Sequence, residues 1–409
     1  MQQTVRFSTL LVAISLISCN KTSTPPDLPK DPIKVETVAQ VAAMNQAIGW
    51  KIFKAEQLAK PDENVLISPY SIQTAFQMAI NGAKGNTLDE FLNLMECPGC
   101  SVADLNDLHA DLNTLLTEQS GQPTLTVANG FFYDSKRMSL LTPFAQTLND
   151  HYNAGTQNLN FDAEQPSLDA INGWVKTHTK DKIDKILNKI GPLDVAFLIN
   201  ALHFRGDWAT GFASELTTTL PFKKKDGSQS NLAFLHADRN FSFAQTANYN
   251  IVDIPFQDST YSLSLLQPGT QNTDADWHLK ITLPIWKSLY DGIQYNRAAV
   301  FVPKLKIAYE NDLVQSLQSL GILDAFSDQK ADFTSMGSAP LNIFINQLQH
   351  KAVLEMDEKG VEGAAVTSVG FGVNSIPPTF MFNQPFVLVL RHVATNTMLF
   401  MGYIADPKQ

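Results

Sequence analysis

Hydrophobic spacing changes in character along the chain. In the first half, apolar residues mostly recur every three to four positions, which is typical of amphipathic helices. The predicted helices are 37–60, 71–83, 88–95, 102–118, 143–151 and 168–187. Later runs rich in β-branched and aromatic residues are bounded by Gly, Pro and Asp, which is typical of strands. The predicted strands are 125–133, 195–204, 251–255, 261–266, 298–307, 341–356, 386–391 and 398–404.

No linker-like stretch separates the two halves, and the sequence has no internal repeat. Segregated helices and long, mostly antiparallel strands predict a single α+β domain. The 409 residues are 44% hydrophobic and 17% charged, which excludes disordered, collagen-like and coiled-coil classes. The net charge of −10 argues against a nucleic-acid-binding protein, because neutralising phosphates requires a surplus of clustered Lys and Arg.

The N-terminus has the pattern of an export signal. Arg6 precedes the uncharged run 7–18, which is shorter than the roughly 20 residues that a membrane-spanning helix needs. The run ends at Cys19 in Leu-Ile-Ser-Cys, which resembles the bacterial lipobox, whose Cys is acylated. An ordinary signal peptide with an incidental Cys is the alternative. We therefore predict a lipoprotein signal peptide over 1–18, a flexible polar tether over 19–34 and one domain over 35–409.

The two remaining cysteines form a Cys-x-x-Cys motif at Cys97 and Cys100. A zinc site needs a second ligand pair, and a thioredoxin-type motif follows a strand rather than a helix. Loop thiols or a local disulfide are therefore favoured over redox or metal chemistry. Ser101 and Asp104, directly after the motif, have the spacing of a helix capping box.

The sequence contains none of the common catalytic signatures. The G-x-S-x-G, H-E-x-x-H and G-x-x-x-x-G-K-[ST] motifs are missing, and the eight histidines have no metal-ligand spacing. Gly370 and Gly372 resemble a fragment of a dinucleotide fingerprint, but no helix can follow them into Pro377 and Pro378. We predict no enzyme active site, no metal and no cofactor.

The stretch 363–390 carries no charged residue. Its prolines exclude a transmembrane helix and leave an extended segment. Alternate residues of a strand share a face, and one such face is uncharged throughout. It comprises Val361, Gly363, Ala365, Thr367, Val369, Phe371 and Val373. With no proline between Gly360 and Ile376, this stretch can become a central buried strand, although Gly370 and Gly372 favour a loop.

Nine landmarks along the chain resemble those of the serpin family, in the family's order. They are 64–72 (NVLISPYSI), 82–92 (GAKGNTLDEFL), 171–183 (INGWVKTHTKDKI), 197–208 (FLINALHFRGDW), 302–307 (VPKLKI), 320–333 (LGILDAFSDQKADF), 350–365 (HKAVLEMDEKGVEGAA), 382–386 (FNQPF) and 399–407 (LFMGYIADP). The resemblance implies an α+β serpin fold, with helices around three β-sheets and an exposed reactive-centre loop near the C-terminus.

The resemblance also implies a suicide-substrate inhibitor of serine or cysteine endopeptidases, not an enzyme. In that mechanism the target protease attacks one loop bond and forms an acyl-enzyme. The cut loop then inserts as an extra strand into the main sheet. The uncleaved fold is accordingly expected to be kinetically rather than thermodynamically stable. The protein is expected to be monomeric.

The family pattern assigns the loop residue by residue. The hinge maps to Glu358, Gly360, Val361, Glu362, Gly363, Ala364, Ala365 and Val366. The family's usual spacing from Glu358 places the reactive bond at Asn374–Ser375. Val361 departs from the Thr or Ser commonly found there, and Gly363 departs from Ala, which would slow insertion slightly.

The residues around the reactive bond disfavour a trypsin-like target, which requires Arg or Lys. Asn374 favours an asparagine-cleaving or broad-specificity protease. If the attacked bond lies after Val373, an elastase-like protease fits, and Phe371 offers a third site to chymotrypsin- or subtilisin-like enzymes. All three bonds remain open.

Six further residues match family positions that control insertion. Beneath the main sheet lie Ser68, Ser71, Asn200 and His350, and at the top of its opening lie Trp208 and Lys304. Lys304 is expected to pair with Glu358. Ordinary core or strand packing is the alternative for all six.

These observations together predict a lipid-anchored serpin at a bacterial cell envelope that protects the cell from exogenous proteases. Contact with a membrane is expected only through the lipid on Cys19. The competing hypothesis is a non-inhibitory lipoprotein that uses the serpin fold to bind a ligand or partner.

Overall fold

The computed structural model describes residues 34–117, 123–361 and 377–407, and the chain from Lys34 onward forms one compact unit. The helices are α1 (Ala39–Ala59), α2 (Pro69–Ile80), α3 (Gly85–Leu94), α4 (Val102–Thr117), α5 (Thr142–Tyr152), α6 (Glu164–His178), α7 (Leu283–Asp291) and α8 (Val314–Ser319). Short 3-10 turns occur at Val35–Val38, Ser214–Leu216, Trp277–Lys280 and Asp324–Phe326.

Seventeen strands are present among the described residues. They are β1 (Val65–Ile67), β2 (Thr124–Tyr133), β3 (Ser139–Leu140), β4 (Ala154–Asn158), β5 (Ala196–Asp207), β6 (Thr218–Lys223), β7 (Gln229–Gln245), β8 (Tyr249–Pro255), β9 (Tyr261–Pro268), β10 (Gln294–Pro303), β11 (Leu305–Asp312), β12 (Gly337–Ser338), β13 (Gln349–Met356), β14 (Gly360–Val361), β15 (Thr379–Met381), β16 (Phe386–His392) and β17 (Met398–Ile404).

The strands form one large sheet and several smaller ones. The nine-stranded sheet has the order β1-β17-β16-β9-β8-β7-β10-β15, with β6 also paired to β7. A four-stranded sheet has the order β14-β5-β2-β4, while β11 pairs with β13 and β12 with β3. The main sheet implied by the family resemblance is therefore present in two parts, one ending at β5 and the other at β13.

Local sequence explains why α2 begins where it does. Ser68 has an extended backbone, and its side-chain oxygen accepts a hydrogen bond from the Ser71 backbone N–H. Pro69 occupies the first helical position, where the missing N–H costs nothing. The helix is buried along nearly its whole length and packs against β5 and β17. It therefore forms a central support beneath β5.

The predicted helix 168–187 is too long. Helix α6 ends at His178, and Lys180 and Asp181 take left-handed backbone conformations, with φ of 50° and 63°. The chain beyond them is irregular but folds back so that its apolar residues join the core of α6, β2 and β5. Those residues are Ile183, Ile186, Leu187 and Ile190. Their helical spacing reflects burial in a returning loop, not a helix.

Two strand predictions also differ from the structure. The predicted strand 341–356 is regular only over β13, and 341–348 belongs to no strand. The predicted strand 298–307 breaks at Lys304, where β10 ends in the nine-stranded sheet and β11 begins beside β13. Pro303 has no backbone N–H and cannot donate a hydrogen bond to a neighbouring strand, which is compatible with the chain passing from one sheet to another at this point.

The Cys-x-x-Cys motif closes the turn between α3 and α4. Cys97 and Cys100 are joined in a disulfide, and the Gln40 side-chain amide lies within hydrogen-bonding distance of both sulfurs. The Ser101 hydroxyl accepts from the Asp104 backbone N–H at 3.3 Å, which confirms the predicted cap of α4. A local disulfide was one of the two forms that the sequence favoured.

Candidate functional site

Strands β5 and β13 face each other across an unfilled space, here called the gap. Over the described residues, neither strand pairs with the other. The lower part of the gap is a cavity of about 390 Å³ lined by β5, by the start of β13 and by the irregular segment before it. A smaller cavity higher up is lined by Leu202 and Phe204 of β5, Val353 of β13 and Val361. The gap is thus open along much of the length of β5.

The walls of the lower cavity are largely apolar and aromatic. They include Ile72, Phe76, Phe131, Phe197, Phe333 and Ile343. A cavity of this size with such walls has few polar partners for water and gains from being filled by apolar groups. An added strand could form hydrogen bonds with the facing edges of β5 and β13, and its small, uncharged side chains could pack against this apolar wall.

The first residues of such a strand are already in place. Strand β14 pairs antiparallel with the end of β5, with Gly360 opposite Asp207 and Val361 opposite Gly206. Val361 is only 3% exposed. At Gly360 a Cβ would collide with the Gly206 carbonyl oxygen, so the close approach of the two backbones requires glycine there. Gly360 and Val361 therefore occupy the first two positions of a strand beside β5 at the top of the gap.

Backbone and side-chain contacts fix residues 357–360, here called the hinge entrance, at the top of the gap. The Trp208 indole N–H donates to the Asp357 carbonyl oxygen at 3.0 Å, and the Trp208 backbone N–H donates to that of Lys359 at 2.9 Å. The indole ring is 4% exposed and stacks on Phe256 at 4.8 Å between ring centroids. The backbone N–H of Phe212 donates to the Glu358 carbonyl at 2.8 Å.

The Glu358 carboxylate is fixed by a cation and a hydroxyl. Lys304 Nζ lies 2.6 Å from Glu358 Oε1, and the Thr217 hydroxyl donates to the same oxygen at 2.8 Å. Burial tends to raise the pKa of Glu358, but these hydrogen bonds outweigh it and leave the pKa below its ordinary value. Glu358 is therefore ionised at neutral pH and paired with Lys304, as the resemblance led us to expect.

A polar cluster lies beneath the middle of the gap. The Ser71 hydroxyl donates to Asn200 Oδ1, and the Asn200 amide donates to Asn129 Oδ1 at 2.6 Å. The Ser68 backbone N–H donates to His350 Nε2 at 3.1 Å. These bonds link α2 to β5 on one side of the gap and to β13 on the other. The structure thus brings together the four residues that the sequence grouped here, while their gating role stays a prediction.

His350 is neutral in this arrangement. Its Nε2 accepts a hydrogen bond and therefore carries no proton. Burial lowers the pKa of His350 to about 4. Protonation would remove the acceptor for the Ser68 N–H and place a charge beside the apolar cavity.

Sequence reasoning missed two polar residues of this site. Thr217 shares the Glu358 carboxylate with Lys304, and Asn129 extends the polar cluster to the Tyr152 carbonyl, to which its amide donates at 2.7 Å. A polar residue amid the apolar strand 125–133 is the signal that points to Asn129. Nothing in the spacing around Thr217 distinguishes it.

Several predicted site residues lie outside the described residues. They are Cys19, Glu362, Gly363, Ala364, Ala365, Val366, Phe371, Val373, Asn374 and Ser375. Among the residues that the structure describes, no cluster of three or more His, Cys, Asp or Glu side chains could hold a metal ion. Within the same ranges, no helix has the length and apolar character needed to cross a membrane.

Comparison with known proteins places this geometry in a family. A family model described as "Serpin (serine protease inhibitor)" matches residues 43–407. Iripin-5 of Ixodes ricinus is 32% identical over 359 residues, covering 85% of this chain and 90% of the relative. Leukocyte elastase inhibitor A of Mus musculus is 28% identical over 383 residues, covering 90% of this chain and 100% of the relative.

A solved structure shows the same fold in a protein with a different role. Human thyroxine-binding globulin superposes with a TM-score of 0.82 at 22% sequence identity, and the match covers 91% of this chain and 100% of that chain. At this identity the likeness concerns the fold alone. The family model, the tick relative and the split main sheet agree, and the chain belongs to the serpin family.

Proposed function

We propose that this protein inhibits serine or cysteine endopeptidases by loop cleavage and insertion. The observation that carries the proposal is the pairing of β14 with the top of β5, above a gap lined by both halves of the main sheet. Among the relatives, leukocyte elastase inhibitor A carries the name of a protease inhibitor. An enzyme's catalytic groups are not needed for such an activity, because the protease supplies the chemistry.

The β14 register, continued down β5, gives each loop residue a partner. Gly360 is opposite Asp207, so Gly363 would be opposite Phe204, Ala365 opposite Leu202 and Thr367 opposite Asn200. Strand β5 has 12 residues, so Phe371 would reach its first residue, Ala196. Thr367 would therefore enter next to the Ser71–Asn200 hydrogen bond.

The energetics favour insertion along this register. About ten new backbone hydrogen bonds, each worth about 0.5–1.5 kcal/mol net, would add to the burial of apolar groups in the cavity. That sum is comparable with the stability of an ordinary domain. The uncut loop inserts into the sheet only slowly, and cleavage allows it to insert.

Ala365→Arg tests the insertion step. In the continued register, residue 365 lies opposite the buried Leu202, so an arginine there would bring an unpaired charge into the core. We expect the variant to fold normally and to be cut by the protease, but to release active enzyme instead of trapping it. The measurements are the stoichiometry of inhibition and the amount of SDS-resistant complex on denaturing gels.

Leu58→Arg is the matched control, since Leu58 lies on α1 and is 67% exposed. It should inhibit like the unmodified protein. An unchanged stoichiometry in Ala365→Arg would contradict insertion. Clean cleavage of the unmodified protein without any complex, across a wide panel of proteases, would favour a non-inhibitory, ligand-binding role.

The targets that we propose are elastase-like, broad-specificity or asparagine-cleaving endopeptidases. The C-terminal peptide released from the complex identifies the bond: a start at Ser375 gives 409 − 374 = 35 residues, whereas starts at Asn374 or Gly372 place the bond after Val373 or Phe371. Elastase and an asparagine-specific protease are the first two probes. A start at any other residue would contradict the loop assignment.

We also propose that the protein is exported and lipid-anchored through Cys19 at a bacterial cell envelope, where it meets exogenous proteases. The support is the signal-like sequence that ends at Cys19. Expressed in a bacterium with lipoprotein processing, the chain should appear in the detergent-soluble membrane fraction with an acylated N-terminal Cys19. Cys19→Ser should abolish acylation, and an unmodified mature N-terminus elsewhere would contradict the proposal.

A further inference from the structure

The outer surface of the nine-stranded sheet beside the end of the reactive loop has an unusual composition, and we call it the docking face. It comprises Tyr295, Arg297 and Phe301 of β10, His236 and Asp238 of β7, and Met381 of β15. Alternation along β10 sets its orientation, because Ala298, Val300 and Val302 are fully buried while the residues between them are not. The docking face is thus the outward side of these strands.

Side chains on the docking face are ordered by one another. The rings of His236 and Phe301, which are opposite in register, stack in parallel with centroids 4.0 Å apart. Arg297 Nε and Nη2 donate to the two carboxylate oxygens of Asp238 at 2.8 and 3.0 Å. Both side chains keep their charges, but the pair has no net charge. The result is an ordered surface without net charge from this pair, with Tyr295, 69% exposed, at its edge.

Chain length places the docking face beside the reactive bond. The Ala299 backbone N–H donates to the Pro378 carbonyl at 2.9 Å, so the loop's C-terminal end is fixed to β10. Ser375 lies three residues before Pro378, and three residue steps span at most about 11 Å. Even a bond after Phe371 would lie within about 25 Å of it. A protease domain of about 220 residues has a radius of gyration of about 17 Å, so a bound protease covers part of this surface.

We propose that the docking face is a second contact surface for a serine endopeptidase held at the reactive bond, with Tyr295 as its aromatic anchor. The inference rests on the proposed inhibitory function. An exposed tyrosine on a rigid strand gives large contact area at little entropic cost, and aromatic residues dominate interface energetics. The neutral, mixed character of the surface suits a partner patch without strong charge, so target choice would depend on shape and apolar contact.

The test is the second-order rate constant with which an elastase-type serine protease attacks the loop, followed as loss of the intact chain. Cleaved chain and covalent complex both count as attack. Tyr295→Ala should lower this rate constant at least about tenfold, as expected for loss of an aromatic anchor. The stoichiometry of inhibition and the thermal unfolding midpoint should stay unchanged, because Tyr295 is exposed and outside the gap.

Two matched variants complete the design. Tyr295→Phe keeps the ring and should react within about twofold of the unmodified protein, as should Leu58→Ala on the distant helix α1. A Tyr295→Ala rate constant within twofold of the unmodified value would overturn the docking face. If the unmodified protein is cleaved without forming a complex, inhibition fails, yet the same rate comparison still decides whether the face binds protease.

Discussion

At the scale of single residues, Lys304 and Glu358 form an ion pair at the hinge entrance, and we predict that this pair controls its opening. Its atoms lie 2.6 Å apart, and Glu358 is largely buried while Lys304 is one-third exposed. Lys304→Ala would remove the cation that pairs with Glu358 and leave its carboxylate with neutral hydrogen-bond donors such as the Thr217 hydroxyl. Solvent screening limits the expected cost to about 1 kcal/mol. We expect spontaneous loss of the proposed inhibitory activity on warming to become several-fold faster, measured as the residual active fraction over time.

Lys306→Ala is the matched control for this prediction. Lys306 is the next outward-facing residue after Lys304, pairs with Glu355 at 2.7 Å and is 66% exposed. It does not contact the hinge entrance, so its loss should leave the inactivation rate unchanged. Equal inactivation rates in Lys304→Ala and the unmodified protein would show that the pair does not hold the entrance.

At the scale of elements, sequence periodicity predicted which residues are buried more reliably than it predicted their backbone conformation. Ile183 and Ile186 are buried as their spacing predicts, but in a loop that begins at left-handed Lys180 and Asp181. Hydrophobic spacing indicates which residues face the core. The left-handed backbone conformations of two adjacent residues that are not glycine are set by tertiary packing. A tertiary constraint of this kind has no local sequence signal.

The strand prediction 341–356 failed for a related reason. Only Gln349–Met356 has a paired neighbour, β11, whereas the preceding eight residues border the open gap. A strand needs a partner to satisfy its backbone, and sequence cannot tell whether that partner is in place. By contrast, Ser68, Ser71, Asn200 and His350 were grouped from family landmarks, and they do meet, because those landmarks lie on regular elements.

At the scale of the whole molecule, acid should weaken the fold through buried neutral histidines. Burial lowers the pKa of His109 to about 3 and those of His203, His278, His350 and His392 to about 4. The unfolded chain has histidine pKa values near 6.5, so it binds more protons than the folded chain below that pH. The stabilisation is complete above about pH 6.5 and is lost as the pH falls toward 4.

His109 isolates this effect from the gap. Its ring lies between Tyr70 and Tyr152, with centroids 5.9 and 4.6 Å away, and neither ring nitrogen has a hydrogen-bond partner. His109→Phe keeps the stacking and removes the titration, which is worth up to about 1.4 kcal/mol per pH unit below 6.5. We expect the unfolding midpoint, at a fixed scan rate, to fall less between pH 7.5 and 5.0 than in the unmodified protein.

The pH window separates histidines from carboxylates. Glu355 and Glu358 have lowered pKa values, so the stability that they contribute is lost only below their ordinary range, near pH 4. A fall in midpoint above pH 5 therefore belongs to the histidines. If the midpoint falls by the same number of degrees in His109→Phe and in the unmodified protein, His109 is not protonated on unfolding. The fall in midpoint would then come from the other four histidines with lowered pKa values. Among those, His203 and His350 line the two cavities of the gap, so their protonation would also accelerate spontaneous inactivation, which His109→Phe should leave unchanged.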